Sequence, residues 1–206
     1  MKTSTDLLLI FTRNPELGKC KTRLAAKVGD TAALDIYKFL LQHTVNITQH
    51  LKVDKTVYYS REVWENDIWA NDTYQKKLQN GTDLGQRLIN AFDDGFKKGY
   101  EKIIVIGSDM FDLSQSDLEN AFSKLDENDF VVGPAEDGGY YLLGMTKPNT
   151  SVFMYKDWGT ETVLETTLND LKDENYVLLP SKNDIDHYED IKHIDAFQPF
   201  LKHMPQ

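Results

Sequence analysis

The sequence contains a single cysteine, no long apolar run, and fewer basic than acidic residues. Cys20 alone cannot form a disulfide within the chain or build a multi-cysteine metal site. The apolar run at residues 7–11 is much shorter than the roughly 20 residues of a membrane-spanning helix, and it is too short for a signal-peptide core. With 33 acidic and 23 basic residues, the chain lacks the broad basic face of a nucleic-acid-binding surface. We therefore expect a cytoplasmic protein with no membrane span and no nucleic-acid partner.

The composition is that of a globular protein. Of the 206 residues, 40% are hydrophobic and 27% are charged, which is enough apolar material for a sizeable core. The chain shows no internal repeat and no linker rich in proline or glycine. We expect residues 1–206 to form a single domain.

Short apolar runs alternate with longer amphipathic segments. The predicted strands are residues 7–12, 56–60, 102–106, 130–132, 140–145 and 176–179, and the predicted helices are about 31–51, 84–98, 116–125, 160–172 and 187–197. Asp30, Asp83 and Ser116 are the predicted helix N-caps, Ser116 in a capping box with Glu119. This alternation favours an α/β domain with a mostly parallel sheet. No helix separates strands 130–132 and 140–145, so we expect one of them to run antiparallel.

Residues 11–25, FTRNPELGKCKTRLA, form a basic segment directly after the first predicted strand. Its cations are Arg13, Lys19, Lys21 and Arg23. Gly18 permits a tight backbone path, and residues 19–24 are typical of the first turn of a short helix, so the segment predicts an anion site. A solvated basic loop is the alternative. A Walker A loop is excluded, because that motif needs glycine at Arg13 and serine or threonine at Cys20.

The segment after the strand KIIVI is Gly107-Ser108-Asp109-Met110. A carboxylate at the end of a buried strand is costly unless it meets water, a donor or a cation. Asp109 is therefore a candidate ligand for Mg²⁺ or Mn²⁺, with a helix cap as the alternative. A haloacid-dehalogenase-type phosphatase needs Asp-x-Asp here, and the three-residue spacing of Asp109 and Asp112 excludes it.

Two further acidic segments follow predicted strands. Residues 131–144, VVGPAEDGGYYLLG, place Glu136 and Asp137 in a turn between two strands, where a simple hairpin is the alternative. Residues 183–191, NDIDHYEDI, contain Asp184 and Asp186. Loops that follow parallel strands meet at one sheet edge, so we expect one of this pair within about 8 Å of Asp109. Asp184 is the favoured metal ligand, and Asp186 is the expected cap of a helix at His187.

Residues 79–92, QNGTDLGQRLINAF, form a glycine-rich turn that leads into a helix. Asp83 as a helix cap does not account for Gly81, Gly85 and Arg87 together. An arginine beside flexible backbone amides suits contacts with a phosphate or a base.

Together these segments resemble a known family, the bacterial glycosyltransferase-like proteins related to the 2-phospholactate guanylyltransferases, in the GT-A (nucleotide-diphospho-sugar transferase) superfamily. The family pattern is F-x-K-x-P-x-x-G-x-x-K-T-R-L, Q-x-G-x-D-L-G-x-R, G-S-D-x-P-x-L, G-P-A-x-D-G-G-Y-x-L-x-G, W-x-T and D-x-D-T-P-x-D-L. The matching residues here are 11–24, 79–87, 107–113, 133–144, 158–160 and 184–191. The chain departs from this pattern at Arg13, which keeps the charge of a lysine, at Phe111, which replaces a proline, and at His187-Tyr188, which replace Thr-Pro.

The resemblance implies one nucleotide-diphospho-sugar transferase-like domain with a three-layer α/β/α, Rossmann-like GT-A fold and a mixed, mostly parallel sheet. Asp109, Asp137 and Lys21 are the expected catalytic residues, and Asp109, Asp184 and Asp186 are the expected ligands of Mg²⁺ or Mn²⁺. The expected nucleotide-binding residues are Arg13, Gly18, Lys21, Arg23, Gly81, Asp83, Gly85 and Arg87. The expected substrate-binding residues are Glu136, Asp137, Gly138, Gly139, Tyr140, Trp158 and Thr160.

Three functions fit these residues. The first is metal-assisted glycosyl transfer from a nucleotide sugar to a small acceptor, favoured because no G-x-G-x-R loop follows the first strand. The second is nucleotidyl transfer from a nucleoside triphosphate to a phosphorylated small acceptor, favoured by KTRL, which resembles the K-S-R-L of the guanylyltransferases. The third is a non-catalytic module that senses a nucleotide, which missing carboxylates would have favoured.

Overall fold

The computed structural model describes residues 2–202 and 204, and strands in this part of the chain form a seven-stranded sheet. The strands are β1 (Asp6–Thr12), β2 (Asp54–Tyr59), β3 (Gln75–Leu78), β4 (Lys102–Gly107), β5 (Phe130–Pro134), β6 (Tyr140–Met145) and β7 (Tyr176–Leu178). Their order across the sheet is β3-β2-β1-β4-β6-β5-β7. β6 pairs antiparallel with β4 and β5, while the other pairs are parallel. The mixed, mostly parallel sheet is confirmed, and β6 is the antiparallel strand that the missing helix predicts.

Helices cover both faces of the sheet and complete three layers. They are α1 (Thr22–Val28), α2 (Asp30–Thr48), α3 (Leu84–Lys97), α4 (Gln115–Lys124) and α5 (Val163–Asp170). Successive residues of a strand point to opposite faces. Leu8 and Ile10 of β1 accordingly pack with α2 and α4, whereas Leu7 and Leu9 pack with α3 and α5. The three-layer α/β fold is confirmed.

The C-terminal segment departs from the predicted helix at 187–197. It forms two short 3-10 helices, Tyr188–Asp190 and Asp195–Phe200, which pack against α1 and α2. Its apolar residues recur every third position, at 185, 188, 191, 194, 197 and 200. This spacing matches the three residues per turn of a 3-10 helix and not the 3.6 of an α-helix. The prediction of an α-helix at 187–197 was therefore wrong, because the three-residue spacing of the apolar residues favours a 3-10 helix.

The structure also corrects smaller expectations. β3 was not predicted, because Gln75–Leu78 is a short edge strand with two lysines and lacks an apolar pattern. The capping box of α4 is formed by Ser114 and Asp117, so the N-cap lies two residues before the predicted Ser116. Gly29 is the N-cap of α2, which places Asp30 in the first turn. Asp83 caps α3 as predicted, with its side chain accepting a hydrogen bond from Gln86 N.

One edge of the sheet collects the segments that carry the motifs. The carboxyl ends of the six mutually parallel strands and the start of β6 lie at this edge, so the loops after β1, β3, β4, β5 and β7 meet there. Within residues 2–202 and 204, no helix has the length and apolar character needed to cross a membrane.

Candidate functional site

Lys21 lies among carboxylates at the C-terminal edge of the sheet. Its Nζ donates a hydrogen bond of 2.8 Å to Asp109 Oδ2 and lies 3.7 Å from Asp186 Oδ1. These two distances place the carboxylates of Asp109 and Asp186 less than about 8 Å apart. The Lys21 side chain is only 6% exposed. The expectation that an acid of the C-terminal pair reaches Asp109 is confirmed.

The surrounding carboxylates keep Lys21 charged despite its burial. Burial acts to lower the pKa of Lys21, but Asp109, Asp186 and Asp184 outweigh it, so the pKa lies above its ordinary value. The backbone of Lys21 adopts a left-handed conformation, with φ 48° and ψ 48°. This conformation is unfavourable for a residue with a side chain, and such residues concentrate at functional sites.

Asp184 lacks the stabilisation that its negative charge requires. Its pKa is raised from 3.8 to about 6, first by burial and then by repulsion from Asp137. Lys21 opposes this shift, and Asp109 and Asp186 add to it. Asp137, Asp109 and Asp186 are therefore close enough to repel Asp184, while Lys21 bonds to Asp109 and Arg23 bonds to Asp186. This arrangement favours a bound cation.

The predicted three-carboxylate metal site is not preformed. In the part of the chain that the structure describes, no three His, Cys, Asp or Glu side chains are placed to hold a metal ion together. The physical reason is that the ammonium of Lys21 lies between Asp109 and Asp186. The oxygen donors still suit Mg²⁺ or Mn²⁺, because Mg²⁺ usually takes one or two carboxylates together with substrate phosphates. Asp109 and Asp184 fit that role.

Asp186 is not the predicted helix cap. Its Oδ2 accepts a 2.7 Å hydrogen bond from Arg23, and its backbone N–H donates to Asp190 Oδ2. Asp190 also accepts from the backbone of His187 and so caps the short helix from within. Asp186 is free of the capping role because this later acid fulfils it.

The structure divides the basic segment among different partners. Lys21 and Arg23 bind the acids described above, whereas Lys19 pairs with Glu16 at 2.6 Å. Arg13 lines a separate cavity between α2 and the segment after β2. Gly18 has φ 71° and forms part of the turn that leads to α1. Because α1 has only seven residues, the prediction of an anion site depends on the side chains of this segment.

Cys20 is buried, as expected for a small interior residue. Its thiol donates to the carbonyl of Asn14 at 3.3 Å, and burial raises its pKa. The side chain of Asn14 is buried too, and it accepts a hydrogen bond from Arg61 N and donates one to Glu62 O. These contacts join the loop after β1 to the loop after β2.

A buried hydroxyl network beneath the site was missed from the sequence. The Tyr37 hydroxyl accepts a hydrogen bond from Arg13 N at 3.0 Å and donates to Arg13 O at 3.1 Å. It also lies 3.2 Å from Ser108 Oγ and 3.3 Å from Thr12 Oγ1. Tyr37 thus joins the loop after β1 to the residue that precedes Asp109. Nothing in the local sequence distinguishes this tyrosine from its apolar neighbours on α2.

The residues of the 79–87 segment mainly hold one another. Arg87 Nε donates to Gly81 O, and its guanidinium contacts Gln79 Oε1 at 3.2 Å. A Cβ at Gly81 would lie 2.7 Å from Arg87 N, and one at Gly85 would lie 2.3 Å from Phe153 O. Both glycines are therefore required for close packing, and the predicted ligand contacts of this segment stay a prediction.

The turn between β5 and β6 is packed against the segment before α5. Gly138 has φ 87°, and a Cβ there would lie 2.3 Å from Glu161 O. Asp137 Oδ1 accepts the backbone N–H of Gly139 at 2.8 Å, and both Glu136 and Asp137 are exposed. Asp137, Gly139, Tyr140, Trp158 and Thr160 line a cavity of about 220 Å³ at this edge. The structure thus brings most of the predicted substrate-binding residues together.

Comparison with known proteins places this arrangement in a family. The family model described as "Uncharacterized protein conserved in bacteria (DUF2064)" matches residues 43–160, more than half of the chain. A search of curated proteins gives no significant match. A solved structure of a candidate nucleotide-diphospho-sugar transferase from Desulfovibrio desulfuricans G20 is 30% identical, with a TM-score of 0.81. The alignment covers 90% of this chain and 84% of that one.

More distant structures share the fold. The inositol-1-phosphate CTP transferase from T. maritima is 14% identical with a TM-score of 0.54, and the alignment covers 97% of this chain and 96% of that one. The 4-diphosphocytidyl-2C-methyl-D-erythritol synthase from Anaerococcus prevotii DSM 20548 is 8% identical with a TM-score of 0.58, covering 95% and 97%. The family match and the Desulfovibrio relative together show that this chain belongs to the DUF2064 family, with a fold of the nucleotide-diphospho-sugar transferase type.

Proposed function

We propose that this protein is a transferase that acts on a nucleotide-activated substrate, and that it transfers a glycosyl group from a nucleotide sugar to a small acceptor with help from Mg²⁺ or Mn²⁺. The observation that carries the proposal is the group of Asp109, Asp184 and Asp186 around Lys21 at the sheet edge. In open α/β sheets this edge is where ligands bind. The Desulfovibrio relative, a candidate nucleotide-diphospho-sugar transferase, supports the same class.

Asp109 and Asp184 are the residues that would hold the divalent ion, and the raised pKa of Asp184 supports this choice. When bound, the ion neutralises negative charge on the phosphates of the leaving nucleoside diphosphate. Lys21 serves the same end from the protein, because its buried ammonium can move from Asp109 to a phosphate oxygen over a short distance. Arg23 is exposed on the outer side of Asp186 and is suited to the distal phosphate.

Asp137 is the candidate general base. One of its oxygens is held by the Gly139 amide, which leaves the other for a substrate hydroxyl. In the proposed step, the acceptor oxygen bonds to the anomeric carbon, and the bond from that carbon to the phosphate oxygen breaks. The nucleoside diphosphate leaves with the bonding electrons, and the hydroxyl proton passes to Asp137.

Nucleotidyl transfer is the second candidate. Lys21 and Arg23 favour it, since two cations on one short segment suit the three phosphates of a nucleoside triphosphate. The reaction would release pyrophosphate and would need a phosphorylated acceptor. The two reactions are thus separated by their products.

A thermal-shift screen of nucleoside triphosphates and nucleotide sugars, with and without Mg²⁺ or Mn²⁺, tests the proposal. We expect a metal-dependent rise in melting temperature with at least one nucleotide sugar. Phosphorus NMR of the reaction mixture then distinguishes nucleoside diphosphate from pyrophosphate. Binding without turnover would favour the sensing module, and absence of any metal-dependent shift would contradict the proposal.

A further inference from the structure

A small cavity beside the carboxylates has walls that are almost entirely apolar. It measures about 220 Å³ and lies between β1, α3, β6 and the start of α5. The side chains of its walls include Phe11, Leu84, Leu88, Tyr140, Trp158 and Val163. Two of them are aromatic neighbours, with the rings of Tyr140 and Trp158 at 6.3 Å in an edge-to-face arrangement.

The polar groups of this cavity are few. The hydroxyl of the wall residue Tyr140 is buried and has no hydrogen-bond partner among the described residues, and Asp137 and Thr160 lie at the exposed rim. Thr160 Oγ1 already donates to Asp157 O at 2.8 Å and lies 2.8 Å from Thr162 Oγ1. Asp137 keeps one oxygen free after its bond to Gly139. Asp137 also faces the acids, because it is the charged group that most strongly raises the pKa of Asp184. The rim thus offers one unused carboxylate oxygen on the side of the proposed metal and phosphates.

The walls are fixed rather than adaptable. The Gly138 carbonyl accepts a 2.8 Å hydrogen bond from Leu164 N, which ties the β5–β6 turn to α5. On the other side, Gly85 of α3 allows close approach of Phe153 and Trp158, which a Cβ would prevent. A preformed cavity of this kind favours one shape and chemistry of ligand.

Resting on the proposed function, we propose that this cavity takes the acceptor and that the acceptor is a small alcohol with an apolar body. Its branched aliphatic or aromatic carbons would lie against Tyr140, Trp158 and Leu88, and its hydroxyl would donate to Asp137. A free sugar fits poorly, because its several ring hydroxyls outnumber the free Asp137 oxygen and the Tyr140 hydroxyl. The remaining ring hydroxyls would be buried without a hydrogen-bond partner. At about 30 Å³ per water-sized group, the cavity holds roughly seven non-hydrogen atoms, which is close to the eight of benzyl alcohol.

The tryptophan indoles provide a direct readout. The chain has three tryptophans, and Trp64 and Trp69 line a different cavity, next to Arg13. We would titrate the full-length ¹⁵N-labelled protein with benzyl alcohol, and separately with glucose, and follow the three indole N–H signals. The expected result is a saturable shift of the Trp158 signal with benzyl alcohol and none with glucose. No shift of Trp158, or an equal shift with glucose, would overturn the proposal.

A variant pair locates the binding. Leu84 lines the cavity but is 40% exposed, so Leu84→Gln should fold. We expect it to weaken benzyl alcohol binding about fivefold through lost apolar contact. Leu78 is similarly exposed, at 48%, but lies outside the cavity walls. Leu78→Gln should therefore leave the affinity for benzyl alcohol unchanged. Equal affinities of the two variants would count against the cavity.

Nucleotide and metal are absent from this titration. Failure of the proposed function would therefore appear in the thermal-shift screen and not in the Trp158 signal. Failure of the acceptor proposal would appear in the Trp158 signal alone.

Discussion

Asp54 and Asp184 are carboxylates at opposite edges of the same sheet. The surroundings of Asp54 stabilise its negative charge, whereas those of Asp184 destabilise it. Asp54 accepts hydrogen bonds from Thr3 N at 2.9 Å and Tyr100 OH at 2.7 Å, and a further one from the Thr3 hydroxyl. Burial acts to raise its pKa, but these hydrogen bonds outweigh burial and keep the pKa below the ordinary value. The pKa of Asp184 is raised to about 6 by burial and neighbouring acids.

The difference separates a structural acid from a candidate functional one. A buried carboxylate with its hydrogen bonds satisfied stabilises the fold, whereas one left among like charges costs stability. Such a cost is typical of sites that bind a charged ligand. We therefore interpret Asp54 as an acid that stabilises the fold and Asp184 as part of the proposed binding site.

The largest expected effect is at Asp54. Asp54→Ala leaves the Thr3 and Tyr100 donors without their acceptor, so we expect a loss of about 3 kcal/mol in the free energy of unfolding. Urea denaturation measures this loss, and Asp173→Ala, at an exposed position, is the control. A loss below about 1 kcal/mol would mean that Asp54 is not the structural acid that the comparison requires.

Asp109→Asn tests the other edge by ligand binding. A ligand at 100 times its dissociation constant stabilises the folded state by about 2.7 kcal/mol, and we expect the variant to lose the metal-dependent part of that gain. Thermal shift with nucleotide and Mg²⁺ measures it, with exposed Asp173→Asn as the matched control. An undiminished metal-dependent shift in Asp109→Asn would remove Asp109 from the site.

Lys21→Ala tests whether the basic segment binds the nucleotide. Hydrogen bonds to charged groups contribute roughly 1.5 to 3 kcal/mol, so the nucleotide affinity of Lys21→Ala should fall at least tenfold. The nucleotide affinity of Arg23→Ala should fall less, because Arg23 is 59% exposed. Calorimetric titration gives these affinities. Lys124→Ala, at an exposed position away from the site, should bind like the unchanged protein. If it weakens binding as much as Lys21→Ala, the segment is only a solvated surface.

Asp184→Asn gives a smaller effect of opposite sign. Removing the repelled charge should stabilise the ligand-free protein at pH 7 to 8 by about 1 kcal/mol, a value reduced by solvent screening. Because the pKa of Asp184 is raised in the folded state, protonation stabilises the folded protein as pH falls from about 6 to 3.8. The advantage of the variant should therefore disappear below pH 3.8. Denaturation of both proteins across this range checks the trend, and a variant less stable at pH 7 contradicts it.

Much of the fold could be predicted from the sequence, since apolar runs of the central strands and the long amphipathic helices carry strong periodic signals. The periodic pattern did not predict the secondary structure of segments whose conformation depends on tertiary contacts. Gln75–Leu78 is a strand because it pairs with β2 at the sheet edge. The 3-10 helices of the C-terminal segment could have been predicted, because their apolar residues recur every third position.

The acids of the candidate site could be predicted from the sequence, whereas the contacts that hold them in place could not. Asp109 and the C-terminal pair follow strands, and parallel strands bring their loops together. The position of Lys21 between Asp109 and Asp186 could not be predicted, because it depends on the left-handed turn before α1. Tyr37 was missed because a hydroxyl that joins two loops leaves no local pattern.

The central claim is that Asp184 is held at an unfavourable charge until a cation and a nucleotide bind. Carboxyl-carbon NMR of the protein, titrated over pH, measures both acids of the comparison in one experiment. We expect Asp184 to titrate near pH 6 in the ligand-free protein, with Asp54 below 3.8, and the Asp184 midpoint to fall when Mg²⁺ and a stabilising nucleotide are added. An Asp184 midpoint near 3.8 that does not move with Mg²⁺ and nucleotide would contradict the account.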